Sequence, residues 1–192
     1  MSAAAPQLRL WTREEYYKMA ELGVLKPGER VELIGGRIVG MASQYSPHFT
    51  AIRLVEDAMR AIFASGYDIR TQGPLDISSS SQPEPDVAVV RGTVRDYAKA
   101  HPTTAELVVE VSESTLAYDR GEKASLYASA GIPDYWVLNL VDRCVEIFRD
   151  PIPMPSQPYG YGYRSHAHYF PTDTIAPLAA PQSAVKVEDV LP

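Results

Sequence analysis

With 192 residues, 45% of them apolar and 22% charged, the chain has the composition of a folded globular protein and enough length to bury a core without covalent staples. A single cysteine, Cys144, excludes an internal disulfide and a multi-cysteine zinc site, and reads as a small apolar residue in a strand. The formal net charge of −6 argues against a generic, charge-driven nucleic-acid binder. It does not exclude a nuclease, because carboxylates that hold a divalent cation count as negative although the ion offsets them. No charged n-region precedes an apolar h-region, and no apolar run reaches membrane-spanning length. The expectation is a soluble cytoplasmic protein, one domain over 1–192.

Residues 1–9 carry small side chains without periodicity and are expected to fray. Thr12 followed by Glu15 reads as a capping box, which predicts a helix over 13–22 stopped by Gly23. Short strands at 31–34 and 37–41 flank Gly35-Gly36, a two-residue loop that permits positive φ at both positions, so a hairpin is predicted. Glu32 lies inside its first strand and reads, on pattern alone, as an exposed position of a half-buried strand. Ser46-Pro47 supplies an N-cap and a first-turn proline for a helix with Ile52, Val55, Met59, Ile62 and Phe63 at helical spacing, ending near Gly66. His48 shares the face of Ile52 and Val55, which suits a bond to a backbone carbonyl or a place in a site lining.

Strands are predicted over 68–72, 75–77 and 87–90, with a polar loop at 78–82. A helix over 93–100 would put Arg95 and Lys99 on one face with Arg91 just before them, either to meet phosphates or as a solvated surface. In 106–112 the alternation sends Leu107, Val109 and Val111 one way and Glu106, Val108, Glu110 and Ser112 the other. The following helix, 121–130, has an apolar stripe of Leu126, Tyr127 and Ala130, and Lys123 lies in that stripe rather than beside Ser125 and Ser129 on the opposite face. A lysine snorkelling past the core edge is the alternative. Gly131-Ile132-Pro133 ends the helix, and 135–140 and 143–149 form a second hairpin around Val141-Asp142. The proline-rich stretch 150–158 is read as irregular. Tyr159, Tyr161 and Tyr163 then lead into an extended segment holding His166 and His168. That pair could chelate, but no carboxylate lies close by in sequence, so an edge strand packed through its tyrosines accounts for it better.

Asp86, Glu110 and Lys123 thus occupy positions where apolar residues would fold better, the pattern expected of a functional site. Two carboxylates entering from adjacent strands can share one hard cation such as Mg²⁺ or Mn²⁺. A lysine in the same space can orient or deprotonate a water, or neutralise charge on a phosphorane-like transition state. These parts suit phosphodiester hydrolysis. The chain has no Gly-x-Ser-x-Gly elbow, no Gly-x-x-x-x-Gly-Lys loop and no His-Glu-x-x-His. An assembly of Ser112, His48 and Asp119 is imaginable, but the pattern does not require it.

Pro85-Asp86, Glu110-Val111-Ser112, the run from Asp119 to Lys123, and Leu126-Tyr127-Ala128 followed by Gly131, Pro133 and Tyr135-Trp136 together resemble the Uma-two-type endonuclease family, a branch of the PD-(D/E)xK nuclease-like superfamily. Glu32-Leu-Ile with Gly36, and Ser46-Pro47 with His48, extend the resemblance over nearly the whole chain. It implies an α/β, restriction-endonuclease-like core, a central mixed β-sheet flanked by helices with extra β-hairpins. It implies Asp86 and Glu110 as metal ligands aided by the Val111 carbonyl, Glu32 as a completing acid, and Mg²⁺ or Mn²⁺ as the ion. The superfamily's usual lysine, two residues after the second acid, is replaced by Ser112, and Lys123 would reach the same space from the next helix. His48, Ser112, Arg91 and Arg95 are candidates for substrate contact. The functional expectation is a metal-dependent endonuclease acting on DNA; the alternatives are a non-cleaving module that keeps the fold, and a hydrolase of another phosphate compound. Hairpins and an aromatic strand would also suit a homodimer.

Overall fold

The computed structural model describes residues 7–41 and 43–192, so most of the stretch expected to fray lies outside the described residues. Six strands form the main sheet: β3 (Tyr67–Thr71), β4 (Val87–Arg91), β5 (Leu107–Ser112), β6 (Asp134–Asn139), β7 (Cys144–Pro153) and β8 (Tyr161–Tyr169), in that spatial order. Neighbours run antiparallel except β5 and β6, which are parallel. A parallel pair cannot be closed by a tight turn. The crossover is helical: α3 (Leu116–Tyr118), a π-helical turn at Asp119–Lys123, and α4 (Ala124–Ser129) follow one another without a break.

Strand alternation gives the sheet two apolar faces. Leu107, Val109 and Val111 pack with Ile52, Val55 and Met59 of α2 (Ser46–Ile62). Val108, Tyr135 and Val137 pack with Ala124, Tyr127 and Ala128 of the crossover helix. Helices therefore cover both faces, as expected for a mixed α/β sheet.

The hairpin of β1 (Val31–Ile34) and β2 (Arg37–Gly40) stands apart from the main sheet. The Gln82 N–H donates to the Leu33 carbonyl at 2.7 Å, and Gly36 N–H donates to the Ser80 carbonyl at 2.7 Å, so the hairpin is tied to the loop preceding Asp86. Helix α1 (Arg13–Glu21), which carries the capping box of Thr12 and Glu15, buttresses it through the Tyr16 hydroxyl on the Val31 carbonyl, 2.9 Å. Both hairpin glycines have positive φ, 55° and 76°. A Cβ on Gly36 would stand 2.6 Å from Leu10 Cβ and 3.1 Å from the Trp11 backbone. Gly36→Ala is expected to destabilise the fold by about 1–3 kcal/mol, which urea unfolding would read; an unchanged midpoint would show that the hairpin is not anchored this way.

Several local expectations are corrected. Ser46 is the first helical residue and Tyr45 the N-cap, and α2 ends at Ile62, short of Gly66. The segment 75–77 is not a strand of the sheet: Leu75 N–H donates to the Pro83 carbonyl and Asp76 N–H to the Pro102 carbonyl, which makes it a tethered loop. The stretch 93–100 holds only a 3₁₀ turn, Val94–Tyr97, because Thr93 and Asp96 cap each other across it. Strand β7 runs through Pro153 although 150–158 was expected to be irregular. Beyond Arg149 it has β8 as a partner but not β6, and prolines are tolerated where one edge is open.

Candidate active site

The register of β4 on β5 pairs Val87 with Val109 and Ala88 with Val108, so the next pair in the same direction sets Asp86 opposite Glu110. Both belong to the side-chain row of Ala88 and Val108, the face covered by the crossover helix. That helix delivers Lys123 onto the row from above. Its Nζ lies 3.0 Å from Glu110 Oε1 and 3.2 Å from Oε1 of Glu32, which enters from β1. Glu32, Asp86, Glu110 and Lys123 are 4%, 6%, 4% and 6% exposed, so the reading of Glu32 as an exposed strand residue is corrected. The hairpin's attachment to the 78–82 loop explains its burial: Glu84 N–H donates to Glu32 Oε2 at 3.1 Å.

Each acid is held by a neutral donor as well. Val111 N–H donates to Asp86 Oδ2 at 2.8 Å, and Gln72 Nε2 to Asp86 Oδ1 at 3.2 Å. The Tyr127 hydroxyl donates to Glu110 Oε1 at 2.6 Å. Lys123 and Tyr127 therefore share one oxygen of Glu110, and among the described residues no protein donor binds the other.

Glu32, Asp86, Glu110 and Lys123 line a cavity of about 220 Å³. His48, Val111, Glu84, Asp119, Tyr118 and Arg30 complete much of its wall. His48 Nε2 approaches Asp86 Oδ2 at 3.5 Å, as its place on the inner face of α2 allows. Ser112 is fully buried behind the wall, its hydroxyl 3.4 Å from that of Thr115, which donates to Asp119 Oδ2 at 2.6 Å. Arg91 and Arg95 do not line the cavity. Arg91 is at the other end of β4 from Asp86, where its Nε donates to Glu106 at 2.5 Å, and Arg95 is exposed in the 3₁₀ turn.

Among the residues not singled out by the sequence pattern are Tyr118 and Glu84 in the wall and Tyr127 beside it. Asp119, offered there only as a conceivable partner of Ser112 and His48 and within the run that carries the family resemblance, lies one helical turn before Lys123, in a helix that starts at Leu116 rather than at 121. Tyr118 falls in the part of the helix that was not expected. Glu84 is two residues before Asp86 on extended chain, a spacing that would have placed it on the same side. Tyr127 was read as core, which its ring is, while its hydroxyl serves Glu110. Ser125, expected on the solvent side, is buried under the chain entering β8 and donates to the Tyr161 carbonyl at 2.7 Å.

Electrostatics follow from this crowding. Burial pushes the Glu110 carboxyl up to about 8; Lys123 opposes that, while Asp86, Asp119 and Glu32 reinforce it. Burial also acts to lower Lys123, but Glu110, Glu32 and Asp119 outweigh it and hold the ammonium well above its ordinary range. Lys123 is thus a permanent cation at neutral pH and unsuited to be a base. Asp119 and Glu84 are both raised, first by burial.

A second polar cluster occupies the same sheet face two strands away. Cross-strand pairing aligns Glu110, Val137, Glu146 and His168 in one row. The carboxylate that His166 and His168 lack in sequence is therefore supplied by β7. His166 Nε2 lies 3.1 Å from Glu146, and ligand atoms of Cys144, Glu146 and His168 fall within 4.8 Å of one another. Arg120 already binds Glu146 through two bonds of 2.8 and 2.5 Å, and Asn139 adds a third, so this carboxylate is compensated by protein groups. The π turn aims Arg120 at Glu146 while Asp119 and Lys123 face the cavity.

The family described as "Uma2: Putative restriction endonuclease" matches residues 13–176. Among solved structures, a "putative nuclease belonging to DUF820" from Anabaena variabilis superposes with a TM-score of 0.70 at 13% identity, over 93% of this chain and 96% of that one. At that identity the likeness speaks for the fold. No curated protein matches the chain. Among the described residues no helix is long and apolar enough to cross a membrane.

Proposed function

We propose that this chain, which belongs to the Uma2 family of restriction-endonuclease-like proteins, is a Mg²⁺-dependent endonuclease that hydrolyses DNA phosphodiester bonds. The observation that carries the reading is the convergence of Asp86, Glu110, Glu32 and Lys123 on one cavity from four separate elements. The donor set suits a hard cation, since it offers carboxylate oxygens with neither thiolate nor a cluster of imidazoles. The raised carboxyl of Glu110 and its unused oxygen also fit, because a divalent ion would relieve the cost of ionising it in a buried place.

Asp86 and Glu110 would hold the ion, with the Val111 carbonyl and Glu32 as further oxygen donors. Such an ion, when bound, polarises a phosphoryl oxygen and makes water a stronger nucleophile. The chain's own groups do the rest. Val111 N–H and Gln72 fix the orientation of Asp86, and Tyr127 fixes that of Glu110. The Lys123 ammonium offers fixed positive charge where negative charge builds on the phosphoryl group. His48, beside Asp86, is placed to contact substrate at the cavity wall.

Plasmid and single-stranded DNA incubated with the purified protein and Mg²⁺ or Mn²⁺ provide the direct test. Cleavage that depends on metal and disappears in Asp86→Ala supports the reading. DNA binding without cutting under any metal would replace it with a non-cleaving module of the same fold.

A pH dependence follows from Glu110. Below about 8 its carboxyl holds a proton in the metal-free protein, and a metal must displace that proton. Mn²⁺ affinity measured by calorimetry without DNA is therefore expected to tighten by about tenfold per pH unit toward pH 8, with about one proton released per ion. Affinity that is flat with pH, or proton uptake, would remove Glu110 from the ligand set.

A further inference from the structure

The Tyr118 side chain lines the cavity, and its hydroxyl is buried without a hydrogen-bond partner among the described residues. Buried hydroxyls are nearly always paired, because an unpaired one loses its water without compensation. Two other buried side-chain atoms are unpaired in this way, Arg70 Nε and Thr71 Oγ1, and neither residue lines the cavity. Tyr118 has acceptors in its neighbourhood: Glu32, Glu84, Asp86, Glu110 and Asp119 line the same cavity, and none of them takes its proton. Four of the five are already served by other groups, Glu110 by Lys123 and Tyr127, Asp86 by Val111 and Gln72, Asp119 by Thr115, and Glu32 by Lys123 and Glu84 N–H.

We propose that Tyr118 is a substrate-binding residue whose hydroxyl donates a hydrogen bond to a non-bridging oxygen of the phosphodiester that enters the cavity. The inference rests on the nuclease reading and deepens it by naming a donor for the reacting group. A phosphoryl oxygen is the acceptor whose arrival would satisfy the hydroxyl, and the acidic wall alone would repel it. Burial first, then the charge of Glu32, push the phenol up to about 12, so it remains protonated and able to donate. Tyr118 stands directly before the π turn that presents Asp119 and Lys123, so the neutral donor and the fixed ammonium come from one continuous helix. They would meet the phosphoryl group together: Lys123 compensates its charge, and Tyr118 fixes its orientation.

The test is Tyr118→Phe, which deletes one oxygen and keeps the ring. Two readouts are taken on the full chain: DNA cleavage with Mg²⁺ or Mn²⁺, and thermal unfolding without DNA. Loss of a transition-state donor is expected to lower kcat/KM by about 10- to 1000-fold. Removing an unpaired buried hydroxyl should at the same time leave Tm unchanged or raise it by about 2–4 °C. A slower enzyme of equal or higher Tm supports the proposal. Equal cleavage by variant and wild type overturns it and leaves the nuclease reading standing. Slower cleavage with a Tm lowered by several degrees assigns Tyr118 a structural role and also overturns it. A wild-type protein that cuts nothing under any metal removes the nuclease reading, and this inference with it.

Discussion

Lys123→Met is expected to abolish DNA cleavage and to open a stability deficit at alkaline pH. Methionine matches the length of the lysine stem but removes the ammonium that stands 3.0 Å from Glu110 and 3.2 Å from Glu32. Both carboxylates stay buried, and breaking a buried ion pair by deleting one partner costs about 3–5 kcal/mol when the other charge persists. Charge need not persist, because a carboxyl can take up a proton. Glu110 is already pushed up to about 8 with Lys123 opposing the rise, so without Lys123 it rises further.

The sign is then fixed. Unfolded glutamate titrates near about 4.3. Between that value and the elevated folded one, the native state binds more protons than the unfolded state, so stability falls with increasing pH. Wild type shares this loss up to about 8, where its own Glu110 ionises, so the variant's extra deficit should open above about pH 8 and level off above its higher folded value. Urea unfolding of wild type and variant at several pH values reads this directly. A deficit constant with pH would mean that Lys123 contributes packing rather than charge compensation.

How much of this was visible in the sequence depended on whether the signal was local. The capping box at Thr12, the double-glycine hairpin and the alternation of β5 are written in neighbouring residues and appear as expected. The inward register of Lys123 was legible for the same reason, since an apolar stripe carries its own phase. Its burial and the family's mixed sheet with flanking helices are both found. What could not be read locally was the company each polar residue keeps. Glu32 looked solvent-exposed because the loop that covers its hairpin lies some fifty positions away, as the Glu84 to Glu32 bond records. Ser125 looked like a solvent-side serine because the chain entering β8 is far downstream. Tyr118 went unmarked because the helix begins at Leu116, ahead of the π turn, at a place that a 3.6-residue period does not mark. His166 and His168 gained a carboxylate only through cross-strand pairing. Arg91 and Arg95 failed to reach the cavity because a strand separates its two ends by about 3.3 Å per residue, and Asp86 and Arg91 stand at opposite ends of β4.

Glu110→Gln is expected to separate chemistry from folding more sharply than any other change at this site. Glutamine keeps the shape of the side chain and leaves its carbonyl oxygen able to accept from Lys123 or Tyr127. It removes a buried carboxyl already raised to about 8, while Lys123 retains Glu32 as a partner. Stability should therefore stay within about 1 kcal/mol of wild type, because replacing a buried charge with a neutral isostere is often neutral or favourable when the remaining charges are paired. Cleavage should fall by about 10³-fold or more, on the order of 4 kcal/mol of transition-state stabilisation, and the pH dependence of Mn²⁺ binding should vanish with the titrating group. Asp86→Asn makes the informative contrast. Its two oxygens both accept, from Val111 N–H and from Gln72 Nε2. An amide would set a donor against a donor at one of them and cost about 1–2 kcal/mol of stability besides activity. If Glu110→Gln cut DNA at the wild-type rate, Glu110 would be a structural partner of Lys123 and not a metal ligand. If it lost activity at full stability, the buried pair is maintained for the reaction, since the fold stands equally well without its charge.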